Sequence, residues 1–181
     1  MHSPRFDLAL SALLLLSLCS PGHAQTKAAL DQGVAETVRQ FNLLDPRHPD
    51  LESKAAGVLV FPQVTKGGIA LASEYGEGAL QVNGATVDYY RIASASVGLT
   101  AGMASHSQMI LFMTADALDK FRTSKGWAIG ADTNIAVVSK GRGDDYDSNR
   151  LRKPILVFIF GERGLIADLS LSGSKIDKIA K

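Results

Sequence analysis

The sequence predicts an α+β domain in which N-terminal helices precede a strongly curved, glycine-rich, barrel-like antiparallel sheet with one inserted helix. Helical spacing of apolar residues is confined to the first part of the chain, and short β-type runs dominate from Gly57 onward. The 17 glycines among 181 residues are an excess for this length. Glycines inside strands mark bulges, sharp bends or close backbone approach, which a strongly curved sheet requires.

The composition is that of an ordinary globular domain. Apolar residues make up 46% of the chain, and 19 basic residues nearly balance 18 acidic ones, for a net charge of +1. This charge argues against a general polyanion binder, so we expect no nucleic-acid partner. The single cysteine excludes an internal disulfide and a zinc site of several cysteines.

The first 24 residues have the pattern of a secretory signal peptide. Leu8–Leu18 is an apolar run shorter than the roughly 20 residues that a membrane-spanning helix needs, and Arg5 precedes it. Gly22 and Ala24 are small residues at the two positions that matter for cleavage. We therefore predict a signal peptide over 1–24 and a single domain over 25–181, periplasmic or secreted.

Cys19 leaves a second interpretation open. If the chain is cut before Cys19 and lipidated there, as in bacterial lipoproteins, the protein is anchored at the outer membrane. That route requires a small residue before the cysteine, whereas this chain has Leu18. An uncleaved N-terminal anchor is the third interpretation.

Two helices are predicted at the start of the domain. From Ala28 to Leu44, apolar residues recur at steps of three and four, which places them on one helical face. Pro46 ends this helix, because a proline disfavours helical geometry in the residue before it. A second, short helix is predicted from Pro49 to Ala56, with its proline and its acidic residues early.

The sheet is predicted as a series of short strands. Asn83-Gly84 is the strongest hairpin signal in the chain, and Pro62 is expected to end the first strand. Thr114 is the predicted N-cap of the inserted helix, which Gly126 closes. The predicted strands are Val58–Phe61, Gly68–Tyr75, Gly78–Val82, Tyr89–Met103, Ser107–Met113, Trp127–Val138, Ile155–Phe160 and Leu165–Leu171, the last two forming a hairpin around Gly161–Gly164.

No arrangement of residues predicts catalysis or metal binding. Asp145, Asp147 and Asn149 have the spacing that opens an EF-hand loop, but Arg150 stands where that loop requires glycine. The histidines lack acidic residues at ligand spacing, and no nucleophile has a convincing base partner. We expect a protein that is not an enzyme and uses neither cofactor nor metal.

Six segments follow one another in a specific order along the domain. They are KAAGVLVFPQVTKGG at Lys54–Gly68, ASEYGEGALQV at Ala72–Val82, YYRIASASVGLTAG at Tyr89–Gly102, ILFMTADALDKF at Ile110–Phe121, GWAIGADTNIAVV at Gly126–Val138 and KPILVFIFGERGLIADLSLSGSKI at Lys153–Ile176. Together they resemble the SYLF domain family, a group of lipid-binding domains that includes the yeast-type actin-binding domain. The likeness is closest to the bacterial exported branch.

The resemblance implies membrane phospholipids as partners and no established enzymatic activity. Some eukaryotic members prefer phosphoinositides and bind through an N-terminal amphipathic helix and basic residues. Some also bundle actin, which an exported bacterial protein would not normally meet. We therefore expect an exported phospholipid-binding domain that acts at the bacterial envelope. The alternative is a periplasmic structural or protein-interaction module that holds an envelope protein through its N-terminal helix.

Two groups of basic residues are the candidates for binding lipid headgroups. They are Lys54, Lys66 and Arg47 around the first predicted strand, and Arg142, Arg150, Arg152 and Lys153 around a polar loop. Each such residue near an anionic surface adds about 1 kcal/mol to binding. Acidic residues in the loop reduce this gain, so a solvated loop is the alternative there. The helix from Ala28 is charge-balanced, and packing on the sheet is the alternative to membrane contact for its apolar face.

Overall fold

The computed structural model of the chain describes residues 25–129, 134–139, 149, 151–164 and 173–181. Within these residues there are three helices and six strands. The helices are α1 (Lys27–Leu44), α2 (His48–Lys54) and α3 (Ala115–Thr123). The strands are β1 (Gly57–Val82), β2 (Ala85–Phe112), β3 (Trp127–Ala128), β4 (Ile135–Ser139), β5 (Ile155–Gly164) and β6 (Lys175–Ile179).

The helices begin where their sequences favour a helix start. Thr26 caps α1, and its side-chain oxygen accepts a hydrogen bond from the backbone N–H of Ala29 at 3.3 Å. Thr114 caps α3 in the same way and accepts from Ala117 at 3.2 Å. Gly126 does not close α3 as predicted. The helix ends earlier, and the positive φ of Gly126 (81°) belongs to the turn that leads into β3.

β1 and β2 form one antiparallel hairpin with arms of 26 and 28 residues. Its turn is Asn83-Gly84, as predicted, and both residues have the positive φ (51° and 76°) that this tight turn requires. The prediction of separate short strands was wrong. Pro62 does not end a strand but lies in a register shift between Phe61 and Val64, and a bulge is one of the few places where a sheet accepts a residue without an N–H.

The hairpin bends back on itself, so that the two ends of β1 pack together. A Cβ atom on Gly78 would lie 2.6 Å from Cδ1 of Phe61, and one on Gly76 would lie 2.8 Å from the backbone oxygen of Gln63. Side chains do not approach other atoms so closely, so these two positions require glycine. The prediction that glycines permit strong curvature is confirmed at this crossing.

The described strands form one sheet in the order β3-β6-β2-β5-β4, with β1 also paired to β2. β2 is long enough to pair with β6 over Tyr89–Ala93 and with β5 over Ala104–Phe112. β4 and β5 are parallel, which differs from the purely antiparallel sheet that the sequence predicted. The sheet is therefore mixed, with one parallel pair among the described strands.

Two predictions about the later strands need correction. The single strand expected over Trp127–Val138 is divided into β3 and β4. β5 continues to Gly164, which pairs with Ala104, so residues 161–164 are not the predicted hairpin turn. The partner strand predicted at Leu165–Leu171 lies outside the described residues.

Two hydrophobic cores lie on the two faces of the bent sheet. The inner core is enclosed between the halves of the hairpin and is closed by α3, whose Phe121 stacks on Phe112 with ring centroids 4.8 Å apart. The outer core lies under α1, where Leu30 and Phe41 are completely buried. Because both faces are covered, β5 is apolar throughout Ile155–Phe160 instead of alternating.

Candidate functional site

The sheet register brings basic residues from both predicted groups to one end of the sheet. Gly57 of β1 pairs with Phe112 of β2, which pairs in turn with Ile155 of β5. Neighbouring strands are about 4.8 Å apart, so the segments just before β1 and β5 come within about 10 Å of each other. Three exposed cations stand on these two segments, and together they are called the basic end: Lys54, Arg152 and Lys153.

Cations in this region form exposed ion pairs. Nζ of Lys54 lies 2.6 Å from a carboxylate oxygen of Asp50, and both side chains are more than half exposed. Arg47 pairs with Asp45 at 2.8 Å, and its hydrogen bonds hold the pKa of Asp45 well below its usual range. Exposed pairs of this kind contribute about 0–1 kcal/mol. An anionic headgroup can therefore replace the protein carboxylate at little cost.

A groove of about 310 Å³ is lined by Ser53 and Ala55, the two sequence neighbours of Lys54. α2 and the residues after it supply one wall, which includes Ser53 and the acidic Glu52, and the hairpin supplies the other, which includes Gln81 and Asn83. Glu52 accepts a hydrogen bond from Asn42 at 2.6 Å. Hydroxyl and amide groups can both donate and accept hydrogen bonds, as a polar headgroup requires. The sequence did not predict this groove, because it exists only where the bent hairpin returns to α2.

Lys66 does not lie at the surface. It is 7% exposed and is part of the continuous strand β1, so it does not flank a strand end as the sequence suggested. Arg47, in contrast, is exposed just before α2. Three further predicted residues, Arg142, Arg150 and Cys19, lie outside the described residues.

The apolar stripe of α1 packs on the sheet. Leu30 and Phe41 are completely buried, whereas Leu43 near the end of the helix is 73% exposed. On the polar face, Glu36 and Arg39 pair at 2.7 Å. None of the three described helices combines the length and hydropathy of a bilayer-spanning helix. Of the two alternatives for this stripe, the structure shows the packed one.

A second candidate site is buried inside the bend of the hairpin. Four polar side chains there are at most 7% exposed, and together they are called the polar corner: Lys66, Glu74, His106 and Gln108. His106 pairs with Val64 across the β1–β2 ladder, and Val64 belongs to the inner core. Glu74 comes from the second half of β1, and Lys66 acts electrostatically on both Glu74 and His106.

The polar corner is only partly hydrogen-bonded. Oε2 of Glu74 accepts from the hydroxyls of Ser94 at 3.3 Å and Ser174 at 3.5 Å. Oε1 of Glu74, both ring nitrogens of His106 and both amide atoms of Gln108 have no hydrogen-bond partner among the described residues. Burial raises the pKa of Glu74 against the attraction of Lys66, and burial lowers the pKa of His106. Both groups are thereby shifted towards their neutral forms.

The polar corner contains two titratable groups whose pKa values burial shifts, Glu74 and His106. Within the described ranges, no group of three or more His, Cys, Asp or Glu side chains is arranged to hold a metal ion. His106 is a residue type whose charge changes in the mildly acidic range, and it shares the interior with Lys66. A change in pH therefore acts on the charge inside the inner core.

The sequence analysis did not predict the polar corner, although the alternation of residues along the strands indicates it. His106 and Gln108 precede Ile110 at steps of two, and Ile110 is a core residue. Lys66 follows Val64 at the same step. Since side chains alternate along a strand, continuing the pattern places all three polar residues on the buried face.

The family of the chain follows from a comparison with known protein families. Residues 93–180 match the family model of Ysc84, described as a Las17-binding protein actin regulator. This part of the chain is similar to the Ysc84, or SYLF, family. The match covers the second part of β2, α3 and the strands that follow, and it confirms the family that the sequence resembles. SYLF domains are associated with lipid and actin binding. No curated protein matches the chain.

Proposed function

We propose that this SYLF-family chain is an exported, non-enzymatic domain that binds phospholipids at the bacterial envelope. The observation that carries the proposal is the family match over residues 93–180, because SYLF domains are associated with lipid binding. The apolar run Leu8–Leu18, followed by small residues, supports export. In the lipoprotein alternative, an acylated Cys19 adds a covalent anchor.

The basic end supports headgroup binding. Lys54, Arg152 and Lys153 are exposed on adjacent segments, and the two sequence neighbours of Lys54 line a polar groove. Each cation near an anionic surface contributes about 1 kcal/mol, so three of them contribute enough to change the affinity strongly. We infer that phosphate oxygens contact these cations while the rest of the headgroup lies along the groove.

Contact with the membrane is expected to be mainly polar. α1 covers the outer face of the sheet, and the bend encloses the inner face. The large apolar side chains that remain exposed among the described residues are divided over four elements: Leu43, Tyr75, Val87, Met103 and Val137. Binding that depends on charge is screened by salt, so vesicle affinity should fall as ionic strength rises.

Vesicle co-sedimentation of the chain from Gln25 onward tests the proposal. The triple variant Lys54→Glu, Arg152→Glu, Lys153→Glu should bind vesicles containing phosphatidylglycerol at least about tenfold more weakly than wild type at low salt. The difference should shrink at high salt, because the Debye length falls from roughly 10 Å at 0.1 M to about 3 Å at 1 M.

The control variant carries the same change in charge elsewhere. Lys125→Glu, Arg163→Glu, Lys175→Glu also reverses two lysines and one arginine on exposed residues, and Lys175 is paired to Asp177 much as Lys54 is paired to Asp50. This variant should bind more tightly than the basic-end variant. Equal losses in both would remove the assignment to the basic end. No binding by wild type to any vesicle would remove the proposed function itself.

A further inference from the structure

Two register shifts lie beside the polar corner. In the β1–β2 ladder the register shifts between Phe61 and Val64, and in the β2–β5 ladder it shifts between Ser105 and Ser107. Two irregularities therefore meet at His106, one on each edge of β2. Bulges interrupt a ladder, bend the strand and re-aim a side chain. This geometry accounts for a histidine that points into the inner core from a position where both ladders are interrupted.

We propose that the polar corner is an acid-sensitive hinge, in which proton uptake by His106 opens the two halves of the hairpin and exposes the inner core. Lys66 already places one cation in this interior. A second cation on His106, which is 4% exposed, would lose its hydration and be repelled by Lys66. Opening returns the imidazolium ring to water.

Within the described ranges, the charged groups around His106 come from two strands. β1 contributes Lys66 and, from its second half, the buried Glu74. β5 contributes Glu162 and Arg163 beside the register shift, and both are exposed. The segment before β6 faces the corner with the neutral Ser174. Glu74 is thus the one buried carboxyl group that the described residues place at the corner, and it already accepts two hydroxyl hydrogen bonds.

The sign of the pH dependence follows from proton linkage. Burial lowers the pKa of His106 below its ordinary value of about 6.5, so the open form binds the proton more readily than the closed form. His106 therefore does not weaken the closed form above about pH 6.5, and the free energy of opening decreases as the pH falls below that value. Glu74 acts in the opposite sense, because burial raises its pKa and the closed form holds its proton more readily.

Hydrogen exchange of the full chain between about pH 7.5 and about pH 5 measures the opening, expressed as protection factors of amides in the inner-core strands. In wild type, protection should fall by up to about tenfold per pH unit below about pH 6.5, the limit for one titrating proton. His106→Gln removes that proton and should flatten the dependence of protection on pH.

His48→Gln is the matched control, since His48 is also buried (2% exposed) but stacks on Phe41 in the outer core. It should keep the wild-type slope.

Three results decide the proposal. A His106→Gln chain that keeps the wild-type slope overturns it. Glu74→Gln removes the opposing group and should make the protection of the inner-core amides depend more steeply on pH. A weaker dependence in Glu74→Gln would assign the proton to Glu74 and overturn the proposal. The ring of His106 in the unmodified protein, titrated by NMR, should have a pKa below the ordinary value. An ordinary or raised value overturns the proposal without requiring that any variant folds.

Discussion

A lysine in this protein takes its role from the face of the strand or helix on which it lies. Lys54 is exposed on α2 and paired with Asp50, whereas Lys66 is 7% exposed and faces the inner core. Both stand beside the same apolar run in the sequence. Their difference follows from strand alternation, because Lys66 lies two residues after the core residue Val64. A headgroup role fits the first lysine, and an electrostatic role inside the fold fits the second.

Gly78→Ala tests the close crossing of β1 with itself. The added methyl group would lie 2.6 Å from the ring of Phe61 and would also meet the backbone oxygen of Val60, which cannot rotate away. We expect a loss of about 3 kcal/mol in the free energy of unfolding, at the upper end of the usual cost of overpacking. Urea denaturation measures it.

Gly84→Ala is the control for this substitution. Its Cβ would meet nothing within 4 Å, and only the positive φ of 76° is unfavourable for alanine. The expected cost is about 1 kcal/mol. If Gly84→Ala costs as much as Gly78→Ala, close packing is not what requires glycine at position 78.

The helices and the strands differ in how well local sequence predicts them. α1 and its buried stripe, the Thr114 cap and the Asn83-Gly84 turn were all predicted, because each depends on residues within a few positions of one another. The lengths of β1 and β2 were not predicted. Proline and glycine usually end strands, but Pro62 here occupies a bulge and Gly78 a crossing, and both are defined by contacts with distant parts of the sheet.

Leu30→Ala tests whether α1 is held by the sheet. Leu30 is completely buried in the outer core, so its truncation should cost about 3 kcal/mol in the free energy of unfolding. Leu43→Ala is the matched control, since Leu43 lies on the same helix but is 73% exposed and should cost less than about 0.5 kcal/mol. Equal, small losses for both leucines in denaturation curves would mean that α1 does not pack on the sheet in solution.

For the whole molecule, the bend brings together residues that the sequence keeps far apart. Ser174 donates to Glu74 across 100 positions, and the groove beside Lys54 needs the hairpin turn to return to α2. The candidate cations could be predicted by residue type from the sequence. Their positions could not, because the register that gathers Lys54 and Lys153 at one end of the sheet is a property of three strands together.

Lys181, after β6, contacts both β1 and the residues before α1. Nζ of Lys181 lies 2.6 Å from a carboxylate oxygen of Glu77 and donates to the backbone oxygen of Gln25, just before α1. Both charged side chains are about nine-tenths buried. Although burial opposes ionisation, the hydrogen bonds from Lys181 and Tyr75 hold the pKa of Glu77 below its usual value. The stability that Glu77 contributes is therefore present above about pH 4.5 and is lost as the pH falls through its lowered pKa.

Lys181→Met should therefore destabilise the protein although the residue lies outside the helices and strands. Removing one partner leaves the largely shielded Glu77 without its cation, which should cost about 1–2 kcal/mol, between the values for exposed and fully buried pairs. Lys54→Met is the matched control, because its pair with Asp50 is exposed on both sides and should contribute little or nothing. Thermal unfolding at neutral pH compares the two variants, and hydrogen exchange at the start of α1 should increase only in Lys181→Met. If the two variants unfold at the same temperature, the contact of Lys181 with Glu77 does not stabilise the fold.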